Sequence, residues 1–295
     1  MEKKQITLKN GEVYHYLEQG QGEQVLLMVH GNFSSSLHYL PLVKKMPKDM
    51  RVLVPDLRGF GDSSYYNRIS SLKDLADDLS LFLEALKVIK ADVIGWSLGG
   101  GVALEFAANY PKKTNKLVLI NSASHKGYPV FKKDEKGQMK IGEVYATKEE
   151  MATDPVQVIP LLVAMKNKDF NTMTTIWNYT IYTVNKPDST DNELWINESL
   201  KQRNLVDADW ALANFNMSDQ HNFYHQGTQT ISRIKAPVLH IWGRKDIVVP
   251  EYMVTDNIEA LKDQSTYIIY EACGHSPLVD VPEQLAKDIL DFIQA

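Results

Sequence analysis

The pentapeptide Gly95-Trp96-Ser97-Leu98-Gly99 constrains this chain more than any other feature. The segment before it, residues 91–94, predicts a buried strand, and residues 100–109 predict a helix. A G-x-S-x-G motif at a strand-to-helix turn holds its serine in a strained position, with the hydroxyl exposed above the sheet. Ser97 is therefore our candidate nucleophile. The alternative, an incidental serine in a nucleotide-binding turn, is disfavoured because neither G-x-G-x-x-G nor G-x-x-x-x-G-K-[ST] occurs.

Composition excludes several classes of function. The net charge is only −5 over 295 residues, and no long Lys/Arg run is present, so nucleic acid is not an expected partner. The one cysteine, Cys273, allows no intrachain disulfide and no thiolate metal cluster, and we expect it to be a small buried residue. Apolar runs such as 25–29 are too short to span a membrane, and no apolar signal core follows the charged start. We expect a cytoplasmic protein.

Short apolar segments recur along the chain and predict a sheet. Residues up to Gln19 alternate polar and apolar side chains around a turn at Asn10-Gly11, which predicts a β-hairpin. Further strands are predicted at 24–29, 51–55, 91–95, 116–120, 238–242 and 266–270. Runs that are apolar throughout are typical of a parallel sheet covered on both faces. Helical spacing predicts helices at 71–86, with Ser71 as the cap, and at 282–293.

The alternation of strand and helix stops between Ile120 and Val238. We find no clear strand pattern in this interval, which begins with a charged, glycine-containing loop at 132–137. Helical periodicity is predicted at 155–165, 169–182 and 192–212. An insertion there would lie over the carboxyl ends of the strands, where such sheets bind ligands. We therefore predict a core domain of residues 1–121 and 236–295 and a helical cap of residues 122–235.

His275 is the candidate general base. It lies in Gly274-His275-Ser276-Pro277, directly after the predicted strand 266–270 and before the last helix. Imidazole suits the role because its ordinary pKa lies near neutral pH. Among the eight histidines, only His275 follows the serine turn on a short loop at a strand end that begins with glycine. For the other histidines a structural role is the simpler interpretation.

Asp246 is the candidate for the acid that orients this histidine. It follows the strand 238–242, and its carboxylate would hold the imidazole in the required tautomer. An alternative is that Asp246 only caps the next helix. Asp280 is a rival acid, but it lies close to His275 in sequence, and the end of strand 116–120 offers only Asn121 and Ser122.

A serine that attacks a carbonyl group also needs N–H donors for the developing oxyanion. The amide of Leu98, directly after Ser97, is one candidate. His30-Gly31-Asn32-Phe33 follows the strand 24–29 and offers the second, from Asn32 or, as the runner-up, from Phe33. His30 itself is expected to brace this loop.

Aromatic side chains are frequent in the predicted cap: Trp177, Tyr179, Tyr182, Trp195, Trp210, Phe215, Phe223 and Tyr224. Some would line an apolar pocket, although packing within the cap explains any single one of them equally well. Our candidate pocket residues are Phe33, Trp96, Trp177, Tyr182 and Val248. As a set, the cap aromatics favour a substrate with an apolar acyl part.

Taken together, these motifs resemble the α/β-hydrolase superfamily over nearly the whole chain. The matching segments are 30–32, 58–63, 95–100, 243–246 and 274–275. The resemblance implies a mostly parallel eight-stranded sheet, a Ser-His-Asp triad, no cofactor or metal, and often a helical lid after the sixth strand. The chain order of Ser97, Asp246 and His275 is also the order of this superfamily.

The resemblance also separates branches of the superfamily. Haloalkane dehalogenases and epoxide hydrolases have an aspartate where this chain has Ser97, although Asn32 is similar to the dehalogenase motif. C–C bond hydrolases often have an aromatic residue where this chain has Ser276. Capped carboxylesterases and acyl-homoserine lactone hydrolases resemble the chain as well, and some of the latter share the segment 95–100.

We therefore expect hydrolysis of a small-molecule ester or lactone through an acyl-enzyme, by a monomer or homodimer. The alternatives are a C–C bond hydrolase or another enzyme of this fold that needs no cofactor, such as a lyase or a peroxidase-like enzyme, and a ligand sensor with very slow turnover. A fold alone does not decide between them.

Overall fold

The computed structural model of the protein describes residues 2–295. Its strands are β1 (Lys4–Thr7), β2 (Val13–Gln19), β3 (Val25–Val29), β4 (Arg51–Pro55), β5 (Ala91–Trp96), β6 (Thr114–Ile120), β7 (Phe131–Lys133), β8 (Met139–Val144), β9 (Val238–Gly243) and β10 (Ser265–Tyr270). Eight of them form one sheet in the order β1-β2-β4-β3-β5-β6-β9-β10. All neighbours from β4 to β10 in this order are parallel, and β2 pairs antiparallel with both β1 and β4. The predicted mostly parallel eight-stranded sheet and its N-terminal hairpin are confirmed.

The helices are α1 (Leu40–Val43), α2 (Leu72–Ala85), α3 (Leu98–Asn109), α4 (Lys148–Met151), α5 (Ile159–Asn167), α6 (Phe170–Thr180), α7 (Ser189–Ser199), α8 (Leu205–Asn214), α9 (Glu251–Ala260), α10 (Pro277–Asp280) and α11 (Pro282–Gln294). Short 3₁₀ helices lie at Ser36–Tyr39, Thr230–Arg233 and Lys262–Gln264. Ser71 caps α2, as predicted, by accepting a hydrogen bond from the backbone of Asp74.

Helices cover both faces of the sheet because successive strand residues point to opposite sides. In β3, Leu26 and Met28 pack in one hydrophobic core with the side chains of α1 and α11. Leu27 and Val29 pack in a second core with α2 and α3. The central strands are buried on both faces, which is why they contain almost no polar side chains.

The segment between β6 and β9 departs from the prediction in two places. It contains an antiparallel hairpin of β7 and β8, although no strand was predicted there. Residues 139–143 of β8 are exposed, so no buried face imposes an alternating pattern on the sequence. The predicted helix 192–212 is two helices, α7 and α8. The chain leaves the helix at 200–204, where Arg203 N–H bonds to the carbonyl of Gly59.

The order and direction of the strands determine where the candidate site residues lie relative to one another. The segments that follow β3, β5, β6, β9 and β10 all leave from the same edge, because these strands are parallel neighbours. Within residues 2–295, no helix combines the length and apolar character that crossing a bilayer requires.

Candidate active site

Ser97 lies at a strained turn between β5 and α3. Its backbone has φ 57° and ψ −122°, a region that an L-residue occupies only when its surroundings enforce it. The surroundings are tight: a Cβ atom on Gly99 would lie 2.2 Å from the carbonyl oxygen of Val29. Ser97 N–H bonds to the carbonyl of Ile120 at 3.0 Å, which ties the turn to β6. The Ser97 hydroxyl is thereby presented at the carboxyl edge of the sheet.

Ser97, His275 and Asp246 form a continuous row. The Oγ atom of Ser97 lies 3.1 Å from Nε2 of His275, and Nδ1 of His275 lies 2.8 Å from Oδ2 of Asp246. Because a carboxylate only accepts hydrogen bonds, this contact places the proton on Nδ1 and leaves Nε2 free to accept from the serine. His275 and Asp246 are buried.

Asp246 is held from two directions. Its Oδ1 accepts the backbone N–H groups of Val248 and Val249 at 2.7 and 2.9 Å, so it also orders the loop before α9. The alternative that Asp246 only caps the next helix is wrong, because the N-cap of α9 is Pro250 and no side chain caps it. Its Oδ2 accepts Nδ2 of Asn121 at 2.6 Å, and the same Nδ2 donates to the carbonyl of Gly274.

Sequence reasoning passed over Asn121. It lies at the end of β6, the position considered for an acid, and its carboxamide contacts the acid that comes from β9 instead. Its backbone φ of 42° is in the left-handed region, which asparagine tolerates better than most residues. The positive φ leaves no trace in the sequence, although an asparagine directly after a buried strand is a weak signal for it.

Asp280, the rival acid, supports the histidine loop from outside the row. Its Oδ2 accepts the backbone N–H of Gly274 at 2.7 Å, and its Oδ1 accepts that of Asn185 at 2.9 Å. Cys273 is fully buried beside it, as expected for a small core residue, and burial with the nearby Asp280 charge raises the pKa of its thiol. Asp280 therefore fixes the loop on which His275 stands.

The two amides proposed for the oxyanion are unoccupied by other bonds. Among the described residues, none accepts a hydrogen bond from the N–H of Asn32 or of Leu98. The N–H of Phe33, the runner-up, is already shared between Gln202 Oε1 at 3.0 Å and Asn32 Oδ1 at 3.2 Å. The geometry therefore favours Asn32 over Phe33 as the second donor.

His30 braces the loop that carries Asn32. Its Nε2 accepts the N–H of Leu57 at 3.0 Å, and its Nδ1 lies 2.8 Å from the carbonyl oxygen of Gly31. These partners require the neutral tautomer with the proton on Nδ1. Burial lowers the pKa of His30 to about 4, so the ring stays neutral at physiological pH.

A cavity of about 400 Å³ opens onto Ser97 and His275. Among the predicted pocket residues, Phe33, Trp96 and Val248 line it. The remainder of the wall comes mostly from apolar side chains, several of them from the segment between β6 and β9: Tyr128, Val130, Val156, Pro160, Leu161, Ile176, Ile181 and Leu212. A cavity of this size and character suits a small, largely apolar ligand.

Trp177 and Tyr182 lie outside this lining, which corrects their assignment to the pocket. Their rings pack against each other, with centroids 5.0 Å apart, in a buried cluster. His38 stacks on Trp177 at 5.1 Å and on Trp195 at 5.7 Å. These aromatics join α6 and α7 to the loop after β3, which is the packing role that the sequence left open for them.

Asp209, on α8, is a cavity residue that sequence reasoning missed. Its Oδ1 accepts Nδ2 of Asn32 at 2.8 Å. Burial raises the pKa of its carboxyl to about 7, against the opposing effect of the bond from Asn32. Nothing near Asp209 in the sequence resembles a motif, because its environment is created by a loop more than a hundred residues away.

A second cluster of carboxylates lies away from this cavity. Asp56, Asp62 and Glu198 place carboxylate oxygens within 4.8 Å of one another. The ammonium of Lys3 contacts all of them, at 2.8, 2.7 and 2.6 Å. The lysine supplies the positive charge that such a cluster requires, and the arrangement is an ion-pair network that is buried at Asp56 and Glu198 and exposed at Asp62.

Comparison with known proteins identifies the family of the chain. The sequence profile of the family described as "alpha/beta hydrolase fold" matches residues 24–282. The chain is 37% identical over 130 residues to a cis-3-alkyl-4-alkyloxetan-2-one decarboxylase of Shewanella oneidensis, a match that spans 41% of this chain and 39% of the relative. It is 25% identical to lipase 1 of Psychrobacter immobilis over 99% of this chain and 84% of the lipase.

Among solved structures, an esterase from Exiguobacterium antarcticum superposes with a TM-score of 0.75. The two chains are 19% identical, and the superposition covers 100% of each. At that identity the likeness concerns the fold.

Proposed function

The chain belongs to the α/β-hydrolase fold family, and from that premise we propose that it is a serine hydrolase that cleaves a carboxylic ester or lactone. The observation that carries the proposal is the row of Ser97 Oγ, His275 Nε2 and Nδ1, and Asp246 Oδ2, with contacts of 3.1 and 2.8 Å. This row opens onto a mostly apolar cavity, which favours a substrate with an apolar acyl part.

The reaction begins when Ser97 Oγ attacks the carbonyl carbon and His275 Nε2 takes the serine proton. The carbonyl π electrons move to oxygen, and the oxyanion accepts hydrogen bonds from the amides of Asn32 and Leu98. Asp246 stabilises the imidazolium that forms. The bond to the leaving alcohol then breaks, and His275 returns the proton to the alkoxide.

Hydrolysis of the acyl-enzyme repeats these steps with water. His275 takes a proton from the water as its oxygen attacks the acyl carbon, and the second oxyanion uses the same amides. Collapse breaks the bond to Ser97 Oγ, which recovers its proton from His275. The products are a carboxylic acid and an alcohol, or a hydroxy acid when the substrate is a lactone.

We also propose that residues 122–235 form a cap over a core of residues 1–121 and 236–295. Support comes from the cavity, whose wall combines core residues such as Ser97 with residues of α5, α6 and α8. The cap therefore takes part in the choice of substrate. The oxetan-2-one in the name of the decarboxylase is a cyclic ester, so lactones belong in the set of trial substrates.

The test is a pre-steady-state assay with p-nitrophenyl esters of increasing acyl length, alongside a series of lactones. We expect a burst of p-nitrophenol equal to the enzyme concentration, and no burst from Ser97→Ala. A steady rate without a burst that survives in Ser97→Ala would contradict the proposal. Folded protein that acylates with no ester and opens no lactone would contradict it as well.

A further inference from the structure

The cavity that contains Ser97 also contains one carboxyl group. Among the described residues that line it, Asp209 is the only acidic one, and most of the others are apolar. A carboxyl group among apolar side chains is unfavourable unless hydrogen-bond partners compensate for its lost hydration. Its presence in this wall therefore needs an explanation.

Among the described residues, only one of the two carboxyl oxygens of Asp209 has a hydrogen-bond partner. Oδ1 accepts Nδ2 of Asn32 at 2.8 Å. Oδ2 makes no hydrogen bond with any described residue and is not fully buried, and the side chain as a whole is half-buried in the cavity wall. One carboxyl oxygen is thus committed to the protein, and the other is open to whatever occupies the cavity.

Asn32 sets the distance between this oxygen and the chemistry. Its side chain contacts Asp209, while its backbone N–H is our proposed oxyanion donor. Gln202 Nε2 donates to Asn32 Oδ1 at 2.8 Å and so fixes the orientation of the carboxamide. Asp209 and the proposed site of the reacting carbonyl therefore contact the same residue, Asn32, one through its side chain and the other through its backbone N–H.

We propose that Asp209 is a specificity-determining residue that binds a hydrogen-bond donor, a hydroxyl or an amide N–H, on the acyl part of the substrate close to the scissile carbonyl. The inference rests on the proposed function and narrows its substrate class from apolar esters to esters or lactones with a donor at this position. A site that offers a buried polar partner discriminates strongly against analogues that leave the partner unpaired.

A competing role for Asp209 is to hold Asn32 in place and nothing more. In that case its replacement changes the hydrolysis of all esters by the same factor. If Asp209 instead binds a donor on the substrate, its replacement changes the ratio of kcat/KM between substrates that have the donor and substrates that lack it. The experiment therefore measures ratios.

The substrates are the p-nitrophenyl esters of 2- and 3-hydroxybutyrate, their methoxy counterparts, and butyrate. They are assayed at pH 8, above the Asp209 pKa of about 7, so that the carboxyl is largely ionised and its free oxygen accepts hydrogen bonds. For wild-type protein we expect kcat/KM for one of the hydroxy esters to exceed that of its methoxy counterpart by about tenfold or more. Asp209→Asn keeps an oxygen for Asn32 but replaces the other oxygen with an NH₂ group, and we expect it to bring the ratio close to one. Asp263→Asn, at an exposed carboxyl far from the cavity, is the matched control and keeps the wild-type ratio.

The outcomes separate this inference from the proposed function. Equal kcat/KM values for hydroxy and methoxy esters in wild-type protein would overturn the inference, even if Asp209→Asn failed to fold. An Asp209→Asn variant that loses the same factor on every ester would overturn it in favour of the positioning role. Absence of Ser97-dependent hydrolysis of any of the esters, butyrate included, would instead overturn the proposed function.

Discussion

The carboxamide of Asn121 donates to Oδ2 of Asp246 at 2.6 Å, the same oxygen that faces His275. The ends of β6 and β9 therefore both contribute to the orientation of the histidine. A hydrogen bond to a charged acceptor typically contributes about 1.5–3 kcal/mol. Asn121 is accordingly a positioning residue in our proposed mechanism.

Replacing Asn121 by glycine should lower kcat about tenfold. Glycine tolerates the φ of 42° at this position, so the change removes the carboxamide without adding backbone strain. We expect KM for a p-nitrophenyl ester to change little, because Asn121 is not among the cavity residues. Unchanged kcat in a folded variant would show that Val248 and Val249 suffice to hold Asp246.

Exchanging the two side chains tests the same relationship more directly. Asp246→Asn should lower kcat by about 10³–10⁴-fold, because the neutral side chain neither fixes the tautomer nor stabilises the imidazolium. Adding Asn121→Asp restores a negative charge at the side chain that contacts residue 246, and we expect the double variant to recover at least about tenfold of the loss. A double variant no better than Asp246→Asn would mean that a carboxylate at 121 cannot orient the ring.

Gly31→Ala should impair catalysis more than folding. A Cβ atom at this position would lie 3.0 Å from Cβ of Ser97 and 3.2 Å from the carbonyl oxygen of Trp96. Relief of these contacts must displace Ser97 or the oxyanion loop, our name for residues 30–33 with the proposed donor Asn32, by a few tenths of an ångström. Catalysis is sensitive to such shifts. We expect kcat/KM to fall more than about tenfold. A large fall in the unfolding temperature, with unchanged activity below it, would contradict this.

Asp209→Asn should stabilise the protein at neutral pH but not in acid. The folded-state pKa of about 7 lies above the ordinary value of 3.8, so between these values the unfolded chain releases a proton that the native state retains. Stability is therefore lost as pH rises from about 4 to 7, by on the order of 2–4 kcal/mol at most. The negative charge of Asp154 raises the pKa of Asp209 further, because it disfavours a second negative charge nearby. The other titratable side chain in the described cavity wall with a basic nitrogen is that of His275.

Thermal unfolding from pH 4 to pH 8 measures this effect. We expect the difference in unfolding temperature between Asp209→Asn and wild type to grow with pH and to level off above pH 7. A difference independent of pH would mean that the carboxyl of Asp209 ionises normally in the folded protein.

Lys3→Met should destabilise the protein strongly for a change near the end of the chain. It leaves Asp56 and Glu198, whose side chains are 0% and 5% exposed, without their ammonium partner. We expect a loss of about 2–4 kcal/mol in the free energy of unfolding at pH 7, measured with urea. Lys4→Met is the matched control: that lysine is 59% exposed and pairs with Glu18, so the expected loss is below about 1 kcal/mol.

The pH dependence of the same variant has a definite sign. Burial raises the pKa of Asp62, but the hydrogen bonds from Lys201 and Lys3 outweigh it and lower the pKa to about 2. The contribution of Asp62 to the free energy of unfolding is therefore complete above pH 4 and is lost as pH falls towards 2. The gap between wild type and Lys3→Met should therefore narrow in acid. Equal stability of the two proteins at pH 7 would show that solvent compensates the exposed side of the network.

The sheet and the row at its edge could be predicted because their signals are local. Most predicted strands of the sheet are apolar runs that neighbours bury on both faces, although β10 at the sheet edge is partly exposed. Ser97, Asp246 and His275 each follow a predicted strand by only a few residues. A side chain at the carboxyl end of a parallel strand has few places to go other than the common edge. The prediction for these residues therefore needed little tertiary information.

The features that sequence analysis did not predict depend on contacts between segments that are distant in the chain. The helical pattern is interrupted at Arg203, because its backbone N–H bonds to the carbonyl of Gly59 in the loop after β4 instead of to a carbonyl of the preceding helical turn. Trp177 packs on His38 and on Tyr182, an arrangement that periodicity cannot distinguish from lining a cavity. The hairpin of β7 and β8 buries too little surface to leave a hydrophobic pattern.

Asn32 accepts a hydrogen bond from Gln202 and donates one to Asp209, and this pair of bonds has a consequence for protein engineering. Segment 122–235, our proposed cap, supplies two of the partners that hold the side chain of Asn32. A chimera that receives this segment from a relative would inherit new partners for Asn32 and with them an altered oxyanion loop. Transplants that move position 32 together with positions 202 and 209 should retain activity more often than transplants of the segment alone.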